Sequence, residues 1–294
     1  MKRYYKVAEH NFSLHFESLK PSEQTLSPYA PFEIDECETL FDVEFVDKFD
    51  FELGEPLIVN ADLSSEGMVR VDVYKTTRGY QYIIFLPGCN EKNGEIDVDF
   101  QKSVSTVVLY GSPMSMRMAL TNALIITYMN FTIEHTTMLY HSSTVIKDGR
   151  AYAFIGKSGT GKSTHSKMWL EAFSDAELLN DDHPIIRVHD DGTAMIYGSP
   201  WSGKTHCYRN LQAPLAAIVR IERALTNSAR KLRPIQALGS ISTSCSGMQW
   251  SERLVDFKMK SLEKLILATP CYIISCLPNV DAAHVCHDYI QETL

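Results

Sequence analysis

The stretch Ala151-Tyr-Ala-Phe-Ile-Gly156-Lys157-Ser158-Gly159-Thr160-Gly161-Lys162-Ser163-Thr164 decides how the chain is read. Its apolar residues 152–155 form a run of the kind that makes a short buried strand. Gly156, Gly161, Lys162 and Ser163 then fill every fixed position of G-x-x-x-x-G-K-[ST], the phosphate-binding P-loop pattern. Beyond it, Met168, Trp169 and Phe173 recur at helical spacing, with no Gly or Pro before Ser174. Strand, glycine loop and helix is the context this pattern needs. The glycines let backbone N–H groups turn inward around an anion, and the helix N-terminus adds its positive dipole. The pattern predicts that Gly156, Lys157, Ser158, Gly159, Thr160, Gly161, Lys162, Ser163 and Thr164 cradle the phosphates of ATP. Lys162 would reach the β- and γ-phosphates, and the Ser163 hydroxyl would hold Mg²⁺.

The bulk composition sets the frame around that stretch. A chain of 294 residues has room for two domains or one large one. Hydrophobic residues at 45% and charged residues at 22% are ordinary for a soluble globular protein. A net charge of −8, with no basic run of five or more, argues against nucleic acid or an acidic membrane as partner. Seven cysteines, an odd number without a C-x-x-C pair, read as reduced thiols of a cytoplasmic protein. No apolar run follows the basic N-terminus, so no signal peptide is expected. The most apolar stretch, 119–133, is too short and too interrupted by Thr and Asn to span a bilayer.

The first hundred residues read as β-rich. Phe12, Leu14 and Phe16 alternate with polar neighbours, as do Phe41, Val43 and Phe45, Val69, Val71 and Val73, and Ile96, Val98 and Phe100. Runs at 80–86 and 105–110 complete a set of short strands, predicting a mostly antiparallel sheet whose acidic residues line a solvated face. Residues 114–134 read as a helix joining this part to the nucleotide part. A β-rich domain or subdomain, 1–112, is thus expected before a P-loop domain, 113–294. A strand over 137–146 and the Asp148-Gly149 turn signal put an antiparallel hairpin in front of the P-loop strand, so a mixed sheet is expected. Downstream, 177–182 reads as a strand, 185–188 and 194–197 as a hairpin, 215–221 and 271–277 as core strands, and 251–267 and 281–294 as helices. Asp281 is the expected N-cap of the last.

Phosphoryl transfer needs a phosphate cradle, Mg²⁺ and a carboxylate for the acceptor. Asp181 and Asp182 end a strand, 19 and 20 residues after Lys162. There the pleat breaks down and both can face the site, one binding Mg²⁺ through water and the other acting as base. Gly198-x-x-x-x-Gly203-Lys204-Thr205 also fits the P-loop expression, but no helical periodicity follows. It reads as a loop whose Lys204 and Arg209 could hold a phosphate or an acidic substrate. His141 lies on the strand paired with the P-loop strand, and His183 beside the two Asp residues. His284, Cys286 and His287 are not read as a metal site, because Cys286 falls on another helix face.

Residues 158–164, Ser-Gly-Thr-Gly-Lys-Ser-Thr, followed by 178–183, Leu-Leu-Asn-Asp-Asp-His, resemble two related families. One is ATP-dependent phosphoenolpyruvate carboxykinase. The closer one is HPr serine kinase/phosphorylase, in which a histidine-bearing strand, a hairpin, the glycine loop, a helix and an Asp pair follow in this order. His141, Gly156, Ser158, Gly159, Gly161, Lys162, Ser163, Asp181 and Asp182 match it over about 139–186. The chain looks like a divergent member, with Thr164 where the family usually has Glu and without the family's downstream Gly- and Arg-rich loop. The resemblance implies an α/β fold of α+β character, with the nucleotide core on a mixed sheet. It also implies a serine kinase: ATP and Mg²⁺ as cofactors, Asp181, Asp182, Lys162 and His141 as catalytic residues, Ser163 and Asp182 on the metal. The acceptor would be a hydroxyl, that of a serine in a protein, a peptide or a small molecule. Homo-oligomerisation is compatible with this reading. The alternative is a nucleotide-binding regulatory or scaffold module without phosphoryl transfer, although such a module needs no base.

Overall fold

The computed structural model describes residues 1–17, 21–48, 50, 52–59, 69–203, 205–245 and 250–294. The chain is a mixed α/β protein with two large mixed sheets. It divides into two compact units, Met1–Thr132 with Gln249–Glu252, and Ile133–Met248 with Arg253–Leu294. No helix among the described residues is long and apolar enough to cross a membrane.

The first unit holds strands β1 (Lys2–Val7), β2 (His10–Phe16), β3 (Glu33–Ile34), β4 (Phe41–Phe45), β5 (Glu55–Ile58), β6 (Arg70–Lys75), β7 (Gly79–Phe85), β8 (Gly94–Asp99) and β9 (Val104–Leu109). A short helix, α1 (Glu23–Leu26), and a long one, α2 (Pro113–Thr132), complete it. The sheet order is β3-β1-β2-β4-β9-β8-β7-β6-β5. Most neighbours are antiparallel, but β4 lies parallel to both β2 and β9. The alternating residues Phe12, Phe41, Val43 and Phe45 are buried as the pattern predicts. Phe41 stacks on Phe12 at 5.2 Å and on Phe131 of α2 at 4.9 Å. Two of the buried polar side chains of α2 are tied across this core: Tyr128 donates to the Val7 carbonyl at 3.0 Å, and Asn130 accepts from Tyr82 at 3.0 Å.

The acidic residues of β8 depart from the expected solvated face. Glu95, Asp97 and Asp99 are all under 10% exposed. Paired partners make this tolerable: Arg78 lies 3.4 Å from Asp97 and 3.2 Å from Asp99, and Lys92 lies 2.8 Å from Glu95. Glu95 also accepts from Tyr110, and Asp99 from the amides of Gln101 and Lys102. Burial still pushes the Asp97 carboxyl above its ordinary range.

The second unit contains β10 (Thr137–Leu139), β11 (Ser142–Lys147), β12 (Arg150–Ile155), α3 (Lys162–Ala172), β13 (Glu177–Asp182), β14 (Ile185–Val188) and β15 (Ala194–Tyr197). It continues with β16 (Gln212–Arg223), β17 (Ser228–Lys231), α4 (Pro234–Ser242), α5 (Glu252–Ala268), β18 (Cys271–Cys276) and α6 (Asp281–Thr293). The main path runs β10-β14-β15-β16-β12-β11-β13, with β18 joining β16 and β17 beyond it. Asp148 and Gly149 both take positive φ and close β11 onto β12 as a two-residue hairpin. On its other side β12 runs parallel to β16. β12 is buried from Ala151 to Ile155, and α3 and α6 cover one of its faces with Trp169, Met168, Cys286 and Ile290. Trp169 is fully buried and packs on Tyr152 at 4.7 Å.

The strand expected over 137–146 is broken at Tyr140 and His141. Its first part pairs with β14 and its second with β12 and β13. The opposing strand breaks at the same level, at His183 and Pro184, and the Tyr140 amide donates to the Pro184 carbonyl at 3.1 Å. The sheet therefore turns a corner there, in the way strands pass from one sheet layer to another. Asp281 does not cap α6. The Ala282 amide is taken by Asn279, and the Asp281 carboxylate accepts from Asn227 at 2.7 Å.

Candidate functional site

The loop 156–161 leaves the C-terminal end of β12 and runs straight into α3. Gly161 is the N-cap of α3 at φ 118°, and an added Cβ there would meet nothing within 4 Å. The left-handed backbone, not lack of space, thus asks for glycine. Thr160 folds the loop back, its hydroxyl donating to the Lys157 carbonyl at 2.6 Å. Lys162 is buried and its Nζ donates to the Gly156 carbonyl at 3.1 Å. Arg223, at the end of the parallel neighbour β16, donates to the carbonyls of Gly159 and Thr160. Two cations therefore brace the loop from within and from its far side.

Asp181 and Asp182 end β13, two strands from β12, and pair with Ser143 and Ser142 of β11. The strand-end conformation is set by buried Asn180. Its side-chain oxygen accepts from the amides of Asp182 (3.1 Å) and His183 (3.0 Å), and its amide donates to the Trp201 carbonyl at 3.2 Å. Both carboxylates reach one cavity of about 440 Å³, opposite Gly159, Lys162, Ser163 and Thr164. Asp181 accepts from the Thr205 hydroxyl at 2.7 Å. Asp182 lies between two imidazoles, 3.4 Å from His141 Nε2 and 3.2 Å from His183 Nδ1. The rings of His141 and His183 stack at 5.9 Å. Gly203 closes the floor: its amide donates to the Asp181 carbonyl at 3.0 Å, and a Cβ would come within 3.2 Å of Asp182 Oδ2.

The charges tune one another. Burial pushes the Lys162 ammonium below its ordinary value, with Asp182 and Asp181 acting against it. Burial pulls His141 down as well, helped by the charge of Lys162 and opposed by Asp182. The balance favours its neutral form. Burial works to raise the Asp182 carboxyl, but the His183 hydrogen bond and the positive charges around it outweigh that, and it ends below the usual carboxylate range.

The structure brings His141, Ser158, Gly159, Gly161, Lys162, Ser163, Thr164, Asp181 and Asp182 around this single cavity. Gly156, Lys157 and Thr160 do not line it: the Gly156 carbonyl is held by Lys162, and the Lys157 carbonyl by the Thr160 hydroxyl. Arg209 is not brought there. Its guanidinium is engaged at the start of β13, donating to the Leu178 carbonyl and to Glu177, both at 2.6 Å. Lys204 lies outside the described residues. Asn180, Gly203, Thr205 and Arg223 join the site without having been singled out for it. Gly203 and Thr205 carried a signal, as fixed positions of the second glycine-lysine pattern. Among the described residues no three His, Cys, Asp or Glu side chains converge as a metal cage. Ser163 on one side of the cavity and Asp181 and Asp182 on the other instead offer hard oxygens, the donor set that suits a magnesium ion completing its shell with phosphate and water.

No family model and no curated protein matches this chain. Among solved structures it is similar to the HPr(Ser) kinase/phosphatase from Coxiella burnetii, at 9% sequence identity and a TM-score of 0.33, over 53% of this chain and 92% of that one.

Proposed function

We propose that the protein is an ATP- and Mg²⁺-dependent kinase that transfers phosphate to a hydroxyl, that of a serine in a protein, peptide or small molecule. The observation that carries the reading is the opposition, across one cavity, of the lysine-braced glycine loop and the paired carboxylates. Loop amides and Lys162 bind the polyphosphate. Ser163 and Asp182 would hold the magnesium ion, which neutralises charge on the transferring phosphate. Asp181, steadied by Thr205, takes the proton of the acceptor hydroxyl. His141 and His183 orient Asp182. Arg223 adds positive charge beside the loop. A binding module would not require Asp181 as a base, and this separates the two readings.

The test is calorimetry of ATP with Mg²⁺ on wild type, Lys162→Ala and Asp181→Ala, followed by labelled ATP with free serine and a serine-peptide library. Expected is binding lost in Lys162→Ala and kept in Asp181→Ala, with label transfer lost in both. Binding without transfer to any acceptor would point to the regulatory module. Wild type that binds no nucleotide would remove the reading altogether.

A further inference from the structure

The first unit carries a cavity of its own, about 260 Å³, where α2 begins. Pro113, Met116, Arg117 and Leu120 line it at i, i+3, i+4 and i+7, so a single stripe of α2 forms one wall. Ser22 and Thr25, at the start of α1, line it as well. Their polar groups are already used: the Ser22 hydroxyl accepts from the Thr25 amide at 3.3 Å and shares a hydrogen bond of 3.0 Å with the Thr25 hydroxyl. The volume lies just under the range of about 300–1,000 Å³ typical of ligand pockets, which sets a small occupant.

Arg117 is the one charged residue of this lining. It is partly buried, and among the described residues its guanidinium has no hydrogen bond or ion pair. Other cations of the same unit are answered: Lys2, Arg3, Arg70, Arg78 and Lys92 each lie within 3.7 Å of a carboxylate. Acids are not scarce either, since residues 1–132 hold twenty Asp and Glu against eleven Lys and Arg. An arginine left without an acid in so acidic a unit is a cation short of a partner. Side chains of a helix lean back toward its N-terminus, so the Arg117 stem runs over the turn that holds Pro113. Its head therefore stays within reach of a group projecting from the cavity.

We infer that this cavity binds a small amphipathic monocarboxylate, its apolar body against Met116 and Leu120 and its carboxylate on Arg117. One guanidinium matches one planar carboxylate, which it holds through two parallel N–H···O bonds, whereas a phosphate dianion would keep charge unanswered here. Met116 is flexible enough to fit either a straight chain or a single ring. The inference concerns the first unit alone and stands whether or not the second unit transfers phosphate.

The experiment titrates the full chain by calorimetry with octanoate and 4-phenylbutyrate, and with the neutral alcohols octanol and 4-phenylbutanol as controls. At least one acid is expected to bind about tenfold or more tighter than its alcohol, the size of one charge-assisted hydrogen-bonded contact. Arg117→Gln should bring that acid down to the level of its alcohol and leave the alcohol within about twofold. Met116→Trp, which fills the groove, should weaken acid and alcohol alike. If Arg117 merely covered apolar surface with its stem, wild type would bind acid and alcohol equally, and that result would overturn the inference. So would an acid affinity that survives Arg117→Gln, or one that survives Met116→Trp and so belongs elsewhere on the molecule. No binding of either acid below about 1 mM would also remove it.

Discussion

The two sheets handle buried polar groups in different ways. In the first unit Glu95, Asp97 and Asp99 alternate along β8 to its last residue and are answered by Arg78, Lys92 and Tyr110, so their charges are met inside the sheet. In the second unit Asp181 and Asp182 sit at a strand's end, where the ladder stops, and beside them lies open space. Their neighbours Thr205, His141 and His183 hold the carboxylates while both still line the cavity, although Asp181 is itself buried. The same residue type is thus scaffolding in one place and available chemistry in the other, and the difference lies in the partners and in the cavity beside the second pair.

Substitutions sharpen this comparison. The largest effect is expected at Asp181: Asp181→Asn should lower phosphoryl transfer by about 10²–10⁴-fold, the worth of a general base. Its thermal midpoint should stay near that of wild type, and a large fall in the midpoint would mean that Asp181 is structural, like the acids of β8. Trp169→Ala should cost about 3–5 kcal/mol in chemical denaturation, since the fully buried indole packs on Tyr152 and Phe154 beneath the loop.

The third effect depends on pH. An unfolded histidine titrates near 6.5 and folded His165 only near 4, so the unfolded state binds more protons between these values. Stability therefore falls as pH drops from about 6.5 to about 4, at about 1.4 kcal/mol per unit and about 3 kcal/mol in total. Urea unfolding at pH 7 and pH 4.5 should show a shallower loss in His165→Phe than in wild type. The smallest effect is expected at Asp97. Its raised pKa means that the ionised form is disfavoured by folding, so its contribution is favourable at acid pH and is lost as pH rises through the folded value. Asp97→Asn should raise stability at pH 7 and change little at pH 3. Destabilisation at pH 7 would show that the Arg78 pairing outweighs burial.

The parts of the fold that were legible in the sequence are those that local chemistry decides. Alternation put Phe41, Val43 and Phe45 in the core, and Asp148-Gly149 gave the hairpin that pairs β12 with β11. The parallel joints of β4 were not legible, because no turn connects its partners and only the completed sheet brings them together. The acids of β8 misled for the same reason: their partners Arg78, Lys92 and Tyr110 are identifiable only in three dimensions. At the site, the loop and the Asp pair were visible as a spacing. Arg223 and Asn180 were not, since a single arginine after an apolar strand and a single asparagine inside one carry no pattern. Arg209 looked available beside the second glycine-lysine stretch, yet the fold turns it to Glu177.

The break in the strand at His141 has a consequence for how the site opens. The His141 amide does not belong to the sheet ladder; it donates to the Ser244 carbonyl at 2.7 Å, and Tyr140 forms a lone bridge with Cys245. The turn just after α4 thereby clasps the backbone of the residue whose imidazole steadies Asp182, across a hundred residues of chain. Deuterium can enter at the His141 amide only when that clasp lifts, so its exchange rate is a clock for local opening at the carboxylates, separate from global unfolding.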